Sequence, residues 1–283
     1  MNPTFTIVVP TCRRDESLAR CLERVTPIVQ EWPADDFEVV VTDDGGMEST
    51  KQLIRSRFPW VRHINGPKRG PAANRNRGAS TAKGNWLLFT DDDCLPDSTW
   101  VAAYAHAIAA SPECQVFEGR VHADRPRRSL AEIAPINESG GYLWSCNFGI
   151  SRALFFEFGG FDERFPHAAM EDVDLAKRLR TRGVEIKFAP AASVCHPWRD
   201  AGGWKKMKEH QEATMRYLSI HPEEAASING ASYLRAAFRE FIRETLPGIF
   251  RFRGSGITTA MLQHLFQLRV AVRLATMRRT SNR

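Results

Sequence analysis

Four short apolar runs, three of them ending on a polar residue and each followed by a segment of helical character, constrain this chain more than any other feature. They read FTIVVP (5–10), FEVVVTDD (37–44), WVRHIN (60–65) and NWLLFTDDD (85–93). Runs of this length, rich in Val, Ile and Phe, suit strands buried on both faces. Between them lie helix candidates from about Glu16 to Gln30, from near Glu48, and over 72–83. A further helix, capped by Ser98, runs to about Ala110. Strands alternating with helices predict an α/β fold with a mostly parallel central sheet flanked by helices. Ligands in such sheets sit beyond the carboxyl ends of the strands. That rule places Pro10–Thr11, Asp43–Asp44 and Asp91–Asp93 along one edge.

After Glu118 the alternation stops. Segment 122–141 mixes charge, Pro and Gly and reads as a long, mobile excursion. Order returns over 143–165. EDVDLAKRLRTRG (171–183) is a helix with an acidic start and a basic end, closed by Gly183. VEIKFAP (184–190) is a strand, and SVCHPWRD (193–200) begins another loop. Beyond it the chain reads as helices over roughly 203–219, 231–246 and 257–278. The expected organisation is one domain over 1–200 and a helical extension over 201–283.

No stretch approaches the roughly 20 apolar residues of a membrane span, and the first residues lack the pattern of a signal peptide. The six cysteines are scattered without close pairing, as expected of reduced thiols in a cytoplasmic protein. The net charge of +6 is unevenly placed. Residues 231–283 hold ten arginines, two glutamates, no lysine and no aspartate, hence 10 − 2 = +8, leaving 6 − 8 = −2 for the rest. Within this tail, Met261, Leu265, Leu268 and Val272 line one helix face, with Leu262 and Phe266 adjacent and Arg269, Arg273, Arg278 and Arg279 at the border. Such a helix can pack on its own protein, support a homodimer, or dock on the inner face of an anionic membrane as a peripheral contact. No nucleic-acid-binding motif accompanies the basic charge, which argues against that partner.

Two acid-bearing stretches and one histidine carry the chemistry. Asp91, Asp92 and Asp93 are either solvated loop charges or the face of a cation site. Mg²⁺ and Mn²⁺ take oxygen ligands, usually one or two carboxylates plus substrate phosphates. EDVDL (171–175) either caps a helix dipole or supplies a general base. His196, in VCHPW, is either structural or an additional metal ligand.

Together these stretches resemble the family-2 glycosyltransferases of the GT-A fold. The resemblance covers most of the first 200 residues through VVPTCRR (8–14), VVVTDDGG (39–46), GPAANRNRGA (70–79), LLFTDDD (87–93), CNFGISRALFFEFGGFDERF (146–165), EDVDLAKRL (171–179) and CHPW (195–198). It implies that Pro10, Thr11, Arg13 and Asp43 form the nucleotide pocket, Asp43 accepting from the base imide and Asp44 being the second candidate for that role. Arg75 would lie over the base or near the diphosphate, with Asn76 bracing the loop. Asp91 and Asp93 would be the ends of a DxD motif binding Mn²⁺ or Mg²⁺, joined by His196, while Asp92 faces ribose or donor sugar. Asp172 would be the general base, with Glu171 supporting it or contacting the acceptor.

The implied activity is metal-dependent, inverting transfer from a nucleotide-diphospho-sugar, with UDP the implied nucleotide. The acceptor would be a saccharide, lipid-linked or other hydroxyl. HPWRDAGGWKK (196–206) is either a connection into the C-terminal helices or a lid using Trp198, Arg199, Trp204 and Lys205. Gly46 and Asn74 depart from the family's usual Ser and Ala and bear on nucleotide fit. A sugar-1-phosphate nucleotidyltransferase is disfavoured, because PTCRRDE lacks the glycine-rich loop such enzymes place after the first strand. The remaining alternative is an inactive transferase-like protein that recruits a partner or membrane through its basic tail.

Overall fold

The computed structural model describes residues 3–228 and 230–281, without the side chains of 226, 227 and 277–281. Chain contacts divide it into two compact units, one of residues 1–124 and 135–197, the other of residues 125–134 and 198–283.

The first unit is built on an eight-stranded sheet. Its strands are β1 (Phe5–Thr11), β2 (Phe37–Asp43), β3 (Arg62–Asn65), β4 (Trp86–Thr90), β5 (Leu95–Pro96), β6 (Val116–His122), β8 (Asn147–Ser151) and β9 (Lys187–Cys195), in the order β3-β2-β1-β4-β8-β6-β9-β5. The first four are mutually parallel. β8 enters antiparallel between β4 and β6, and β6 pairs parallel with β9. Helices α1 (Asp15–Arg24), α2 (Glu48–Arg57), α3 (Pro71–Ser80), α4 (Trp100–Ala110), α5 (Arg152–Glu157) and α6 (Glu171–Thr181) complete it.

Both faces of the sheet are covered, so successive strand residues feed different cores. Phe5, Ile7 and Val9 join Leu18 and Leu22 of α1 and Trp100 and Tyr104 of α4 in one cluster. Val8, Leu87 and Phe89 join Ala72 and Ala79 of α3, Phe155 of α5 and Leu175 of α6 in the other. α3 lies so close to β1 that a Cβ on Gly78 would come 2.5 Å from Val8 Cγ1.

Several expectations shift. α1 stops at Arg24, not Gln30, because Pro27 disfavours continued helix in the residue before it. α4 begins at Trp100, and Ser98 is not its cap: its hydroxyl donates to Glu31 Oε1 at 2.8 Å. β9 continues through Cys195 rather than breaking at 193, because it is paired on two sides, by β6 and β5. β6 runs into the stretch read as irregular, and β8 lies within 143–165, which reads as ordered without marking a strand. Asn147 shows what joins them. Its Oδ1 accepts from Trp100 Nε1 at 2.9 Å and Tyr104 Oη at 2.8 Å, and its Nδ2 donates to the carbonyls of Arg120 at 2.7 Å and Ala192 at 2.8 Å. One fully satisfied buried amide thus ties α4, β6, β8 and β9 together.

The second unit contains β7 (Glu132–Ile133) and β10 (Arg199–Asp200), paired antiparallel, then α7 (Trp204–Ile220), α8 (Pro222–Ser227), α9 (Gly230–Glu240), a π-helical turn (Phe241–Thr245), α10 (Leu246–Arg251) and α11 (Ile257–Ser281). The segment read as a mobile excursion contributes residues 125–134, ordered by Glu132, which accepts from Arg125 at 2.6 Å and from the amides of Arg128 and Ser129. No helix among the described residues is long and apolar enough to cross a membrane. The side chains of Arg278 and Arg279 lie outside the described residues.

Candidate active site

The parallel strands β2, β1 and β4 deliver their last residues side by side, which brings Asp43, Thr11 and the aspartate triplet to one edge. Three like charges in sequence need three different surroundings, and the fold provides them.

Asp91 accepts from Arg75 Nη2 at 2.6 Å. Asp92 turns inward, is 2% exposed, and accepts from Thr11 Oγ1 at 2.7 Å and Arg14 Nε at 3.2 Å, with Arg14 Nη2 on its second oxygen. Burial pushes its carboxyl up to about 6 in spite of the guanidinium. Asp93 accepts from Arg14 Nη1 at 3.1 Å through Oδ2, while its Oδ1 lies 3.5 Å from His196 Nε2. Arg14, which the sequence reading passed over, is therefore a central cation of the triplet. The signal was present in VVPTCRR, but only the folded chain shows which arginine points back at β4.

Arg75 is almost fully buried and bridges two elements, donating from Nη1 to Glu171 Oε1 at 3.0 Å as well as to Asp91. Its two carboxylate partners hold it firmly protonated against the cost of burial. Glu171 is 2% exposed and is a partner of Arg75 rather than a surface group. Burial, with the neighbouring Asp172, pushes it up to about 7.

Asp172 is half-buried at the first turn of α6. Its Oδ2 accepts from the Ser145 amide at 3.1 Å and its Oδ1 from the Val173 amide at 2.8 Å. These bonds fix the carboxylate's orientation, while burial raises its pKa above the ordinary aspartate range. The chain Asp91–Arg75–Glu171 places α6 beside the end of β4, so the triplet and EDVDL form one network.

On the β2 side, Asp43 is 1% exposed. Its Oδ1 accepts from the Gly45 amide at 2.7 Å, and its Oδ2 has no hydrogen-bond partner among the described residues, His63 Nε2 lying 3.9 Å away. Asp44 accepts from the amides of Lys68 at 2.8 Å and Gly70 at 3.0 Å and organises that loop. Asn74 ties the two strand ends, donating to the carbonyls of Thr11 at 3.2 Å and Thr42 at 2.9 Å. Pro10 and Thr11 are buried and Arg13 is exposed, with φ of 57°. Asn76 and Phe161 exchange bonds, Asn76 Nδ2 to Phe161 O at 2.8 Å and Phe161 N to Asn76 Oδ1 at 3.0 Å, which braces the loop after Gly159–Gly160.

Asp93, Cys94 and His196 present ligand atoms within 4.8 Å of one another. His196 is 1% exposed, and its Nδ1 lies 2.9 Å from Pro197 O, so the tautomer that donates there leaves Nε2 a lone pair directed toward Asp93. A carboxylate and an imidazole facing each other offer a divalent cation one oxygen and one nitrogen ligand, a pair that suits Mn²⁺ better than Mg²⁺. Cys94 suits them poorly, because burial holds its thiol protonated and hard cations take oxygen. Asp91 is engaged by Arg75 instead of joining this group.

The residues read as a lid belong to the second unit. Trp198 Nε1 donates to Arg125 O at 2.6 Å, and Trp204 packs its ring 4.6 Å from that of Phe266, under Arg269. Arg199 lies in β10, and Lys205 is exposed near Glu209.

The profile of Glycosyl transferase family 2 matches residues 6–176. A validoxylamine A glucosyltransferase of Streptomyces hygroscopicus subsp. limoneus is 28% identical over 226 residues, covering 65% of this chain and 49% of that protein. The chain thus spans about half the length of that relative. Among solved structures, a mannosyltransferase from Pyrobaculum calidifontis in complex with GDP-Man and Mn²⁺ aligns over 98% of this chain and 87% of its own, with a TM-score of 0.57 and 18% identity. GalNAc-T7 with UDP, GalNAc and Mn²⁺ aligns over 77% of this chain and 48% of its own, with a TM-score of 0.60 and 16% identity. At these identities the structural likeness establishes a shared GT-A fold.

Proposed function

Since this chain belongs to glycosyl transferase family 2, we propose that it transfers a sugar from a nucleotide-diphospho-sugar to an acceptor hydroxyl, with inversion at the anomeric carbon. The observation that carries this reading is Asp172: a half-buried carboxylate, oriented by two backbone amides, with its pKa raised, next in sequence to Glu171, which Arg75 joins to Asp91. A base for a hydroxyl needs this combination of fixed direction and raised proton affinity.

In the proposed reaction the acceptor hydroxyl loses its proton to Asp172 as its oxygen bonds to the anomeric carbon from the face opposite the diphosphate. The bond to the diphosphate breaks in the same displacement, and the nucleoside diphosphate leaves with the electron pair. Glu171 acts through Arg75, as a support and not as an acceptor contact. Asp43 Oδ2 is the acceptor atom offered to a base imide, and Pro10, Thr11, Arg13 and Asp44 shape that pocket. Asp93 and His196, with Asp91 if Arg75 yields it, would hold Mn²⁺ or Mg²⁺, which supplies Lewis-acid neutralisation of the departing diphosphate. Asp92, turned inward, positions Arg14 rather than contacting sugar.

UDP is the preferred nucleotide, although related folds accommodate both UDP and GDP-Man. The acceptor is a saccharide or lipid-linked hydroxyl, presented to a protein that contacts the membrane peripherally; a homodimer is the rival use of the tail. A lid role for Trp198, Arg199, Trp204 and Lys205 would require Trp198 and Trp204 to leave their present partners, and unchanged kinetics in Trp204→Ala would remove it.

Thermal unfolding with UDP, GDP, dTDP and CDP, each with and without Mn²⁺, tests the reading without a known acceptor. Metal-dependent stabilisation by one nucleoside diphosphate, lost in Asp93→Ala, is the expected result. A flat response across the panel would favour the inactive, recruiting protein.

A further inference from the structure

The helical unit carries a row of apolar side chains that its own packing leaves outside. Leu234, Phe238, Ile242, Leu246 and Phe250 are each four residues apart along α9, the π-helical turn and α10, and all are exposed, Phe238 at 66% and Phe250 at 77%. On the opposite side, α9 and the π-helical turn face α11, and Gly248 of α10 lies against Leu130. Ala237, Thr245 and Gly248 are buried, Thr245 Oγ1 lies 2.9 Å from His264 Nε2, and the Phe241 ring packs against His264.

The π-helical turn has a geometric consequence. In an uninterrupted α-helix a step of four residues overshoots one turn by about 40°, so a row of five winds away from its starting face. A π turn closes i→i+5 bonds and takes more residues per revolution, which reverses the drift where it occurs. Placed at 241–245, in the middle of the row, it keeps Leu246 and Phe250 closer to the face of Leu234 and Phe238.

Charge identifies the occupant. Arg235, Arg239, Arg243 and Arg251 each directly follow a member of the row, and all four are exposed. The acids of this stretch are Glu240 and Glu244, and Glu240 turns toward α11 to accept from Gln267 Nε2 at 2.7 Å. A second copy seated on this face would bring arginines against arginines. An anionic bilayer instead offers hydrocarbon to the row and phosphate to its border, the arrangement of an interfacial amphipathic helix.

We propose that the row from Leu234 to Phe250, with its flanking arginines, is a docking surface for an anionic lipid bilayer. This deepens the membrane-contact part of the proposed function and assigns the contact to α9, the π turn and α10, ahead of the tail helix alone. Nucleotide binding is measured separately, so either reading can fail by itself.

The test is co-sedimentation of the full chain with vesicles of phosphatidylcholine alone or of phosphatidylcholine with phosphatidylglycerol. Binding to the anionic vesicles at least about tenfold stronger than to the neutral ones is expected. Phe238→Glu/Phe250→Glu should lower it by a similar factor, and Arg239→Gln/Arg243→Gln should weaken it on anionic vesicles only. The milder pair Leu234→Ser/Phe250→Ser replaces the first if its unfolding midpoint has fallen. Stabilisation by nucleoside diphosphate and Mn²⁺ should be unchanged in these variants. Wild-type protein that stays in the supernatant, or apolar variants that pellet as well as wild type, would overturn the proposal. So would a solution dimer that those variants dissociate.

Discussion

The aspartate edge of the first unit and the outer face of the second invert the usual rule in opposite ways. At the edge, charge goes inside: Asp92, Glu171 and Arg75 are all nearly buried. On the helical face, Phe238 and Phe250 go outside. Arginine is the common element, but its task differs. Arg14 and Arg75 neutralise carboxylates within the protein, whereas the arginines of 235–251 border apolar surface. A buried charge is tolerable only when matched, and an exposed apolar row suits a surface that covers it. The first region matches most of its buried charge within the protein, whereas the second leaves its apolar row uncovered.

The largest expected effect that could break this contrast is catalytic. Asp172→Asn should lower turnover on the order of 10³-fold while leaving Mn²⁺-dependent nucleotide stabilisation intact. Loss of nucleotide binding along with turnover would make Asp172 a structural group instead. Next in size is Arg75→Ala, which strands Glu171 and should cost about 4 kcal/mol in urea unfolding. Adding Glu171→Gln should recover part of that loss; a purely additive double variant would show that the pair is not coupled.

A pH series sharpens the same point. Glu171 and Asp92 are held up to about 7 and about 6, above the values near 4 of exposed carboxyls. The folded state therefore binds more protons than the unfolded one across that window, and stability falls as pH rises from about 4.5 to 7. Glu171→Gln should remove its share of that fall, and a pH profile identical in the wild type and Glu171→Gln would contradict the assignment. A smaller change is expected of Arg14→Gln. Arg14 already occupies Asp93, so removing this competing cation should tighten binding of Mn²⁺ alone by up to about fivefold, the worth of a partly exposed ion pair. Weaker binding, measured by titration calorimetry, would make Arg14 a supporter of the metal rather than its competitor. Smallest is Phe238→Ser, which should shift stability by less than about 0.5 kcal/mol in the absence of lipid. A loss of 2 kcal/mol would mean that the row packs within the protein.

Much of the first unit was legible because its signals are local. β1 to β4 each announce themselves as apolar runs, and a parallel alternation dictates that their carboxyl ends share an edge. β6 and β8 were not legible, because an antiparallel insertion between β4 and β9 depends on partners distant in sequence. Asn147 illustrates the limit: it stands inside a recognisable motif, yet its four hydrogen bonds reach residues 27 to 47 positions away.

By itself the sequence determined the fold class, the family, the acidic edge, and the concentration of arginine near the C-terminus, since each follows from residue type and short-range order. Tertiary structure alone decided which carboxylate meets which cation. It turned Asp92 inward onto Thr11 and Arg14, gave Asp91 and Glu171 to Arg75, set Asp93 before His196, and left five apolar residues of α9, the π turn and α10 exposed. The reason is physical: a residue's charge is fixed by its chemistry, but its partner, its burial and hence its pKa are set by chain segments that only folding brings within a few ångströms.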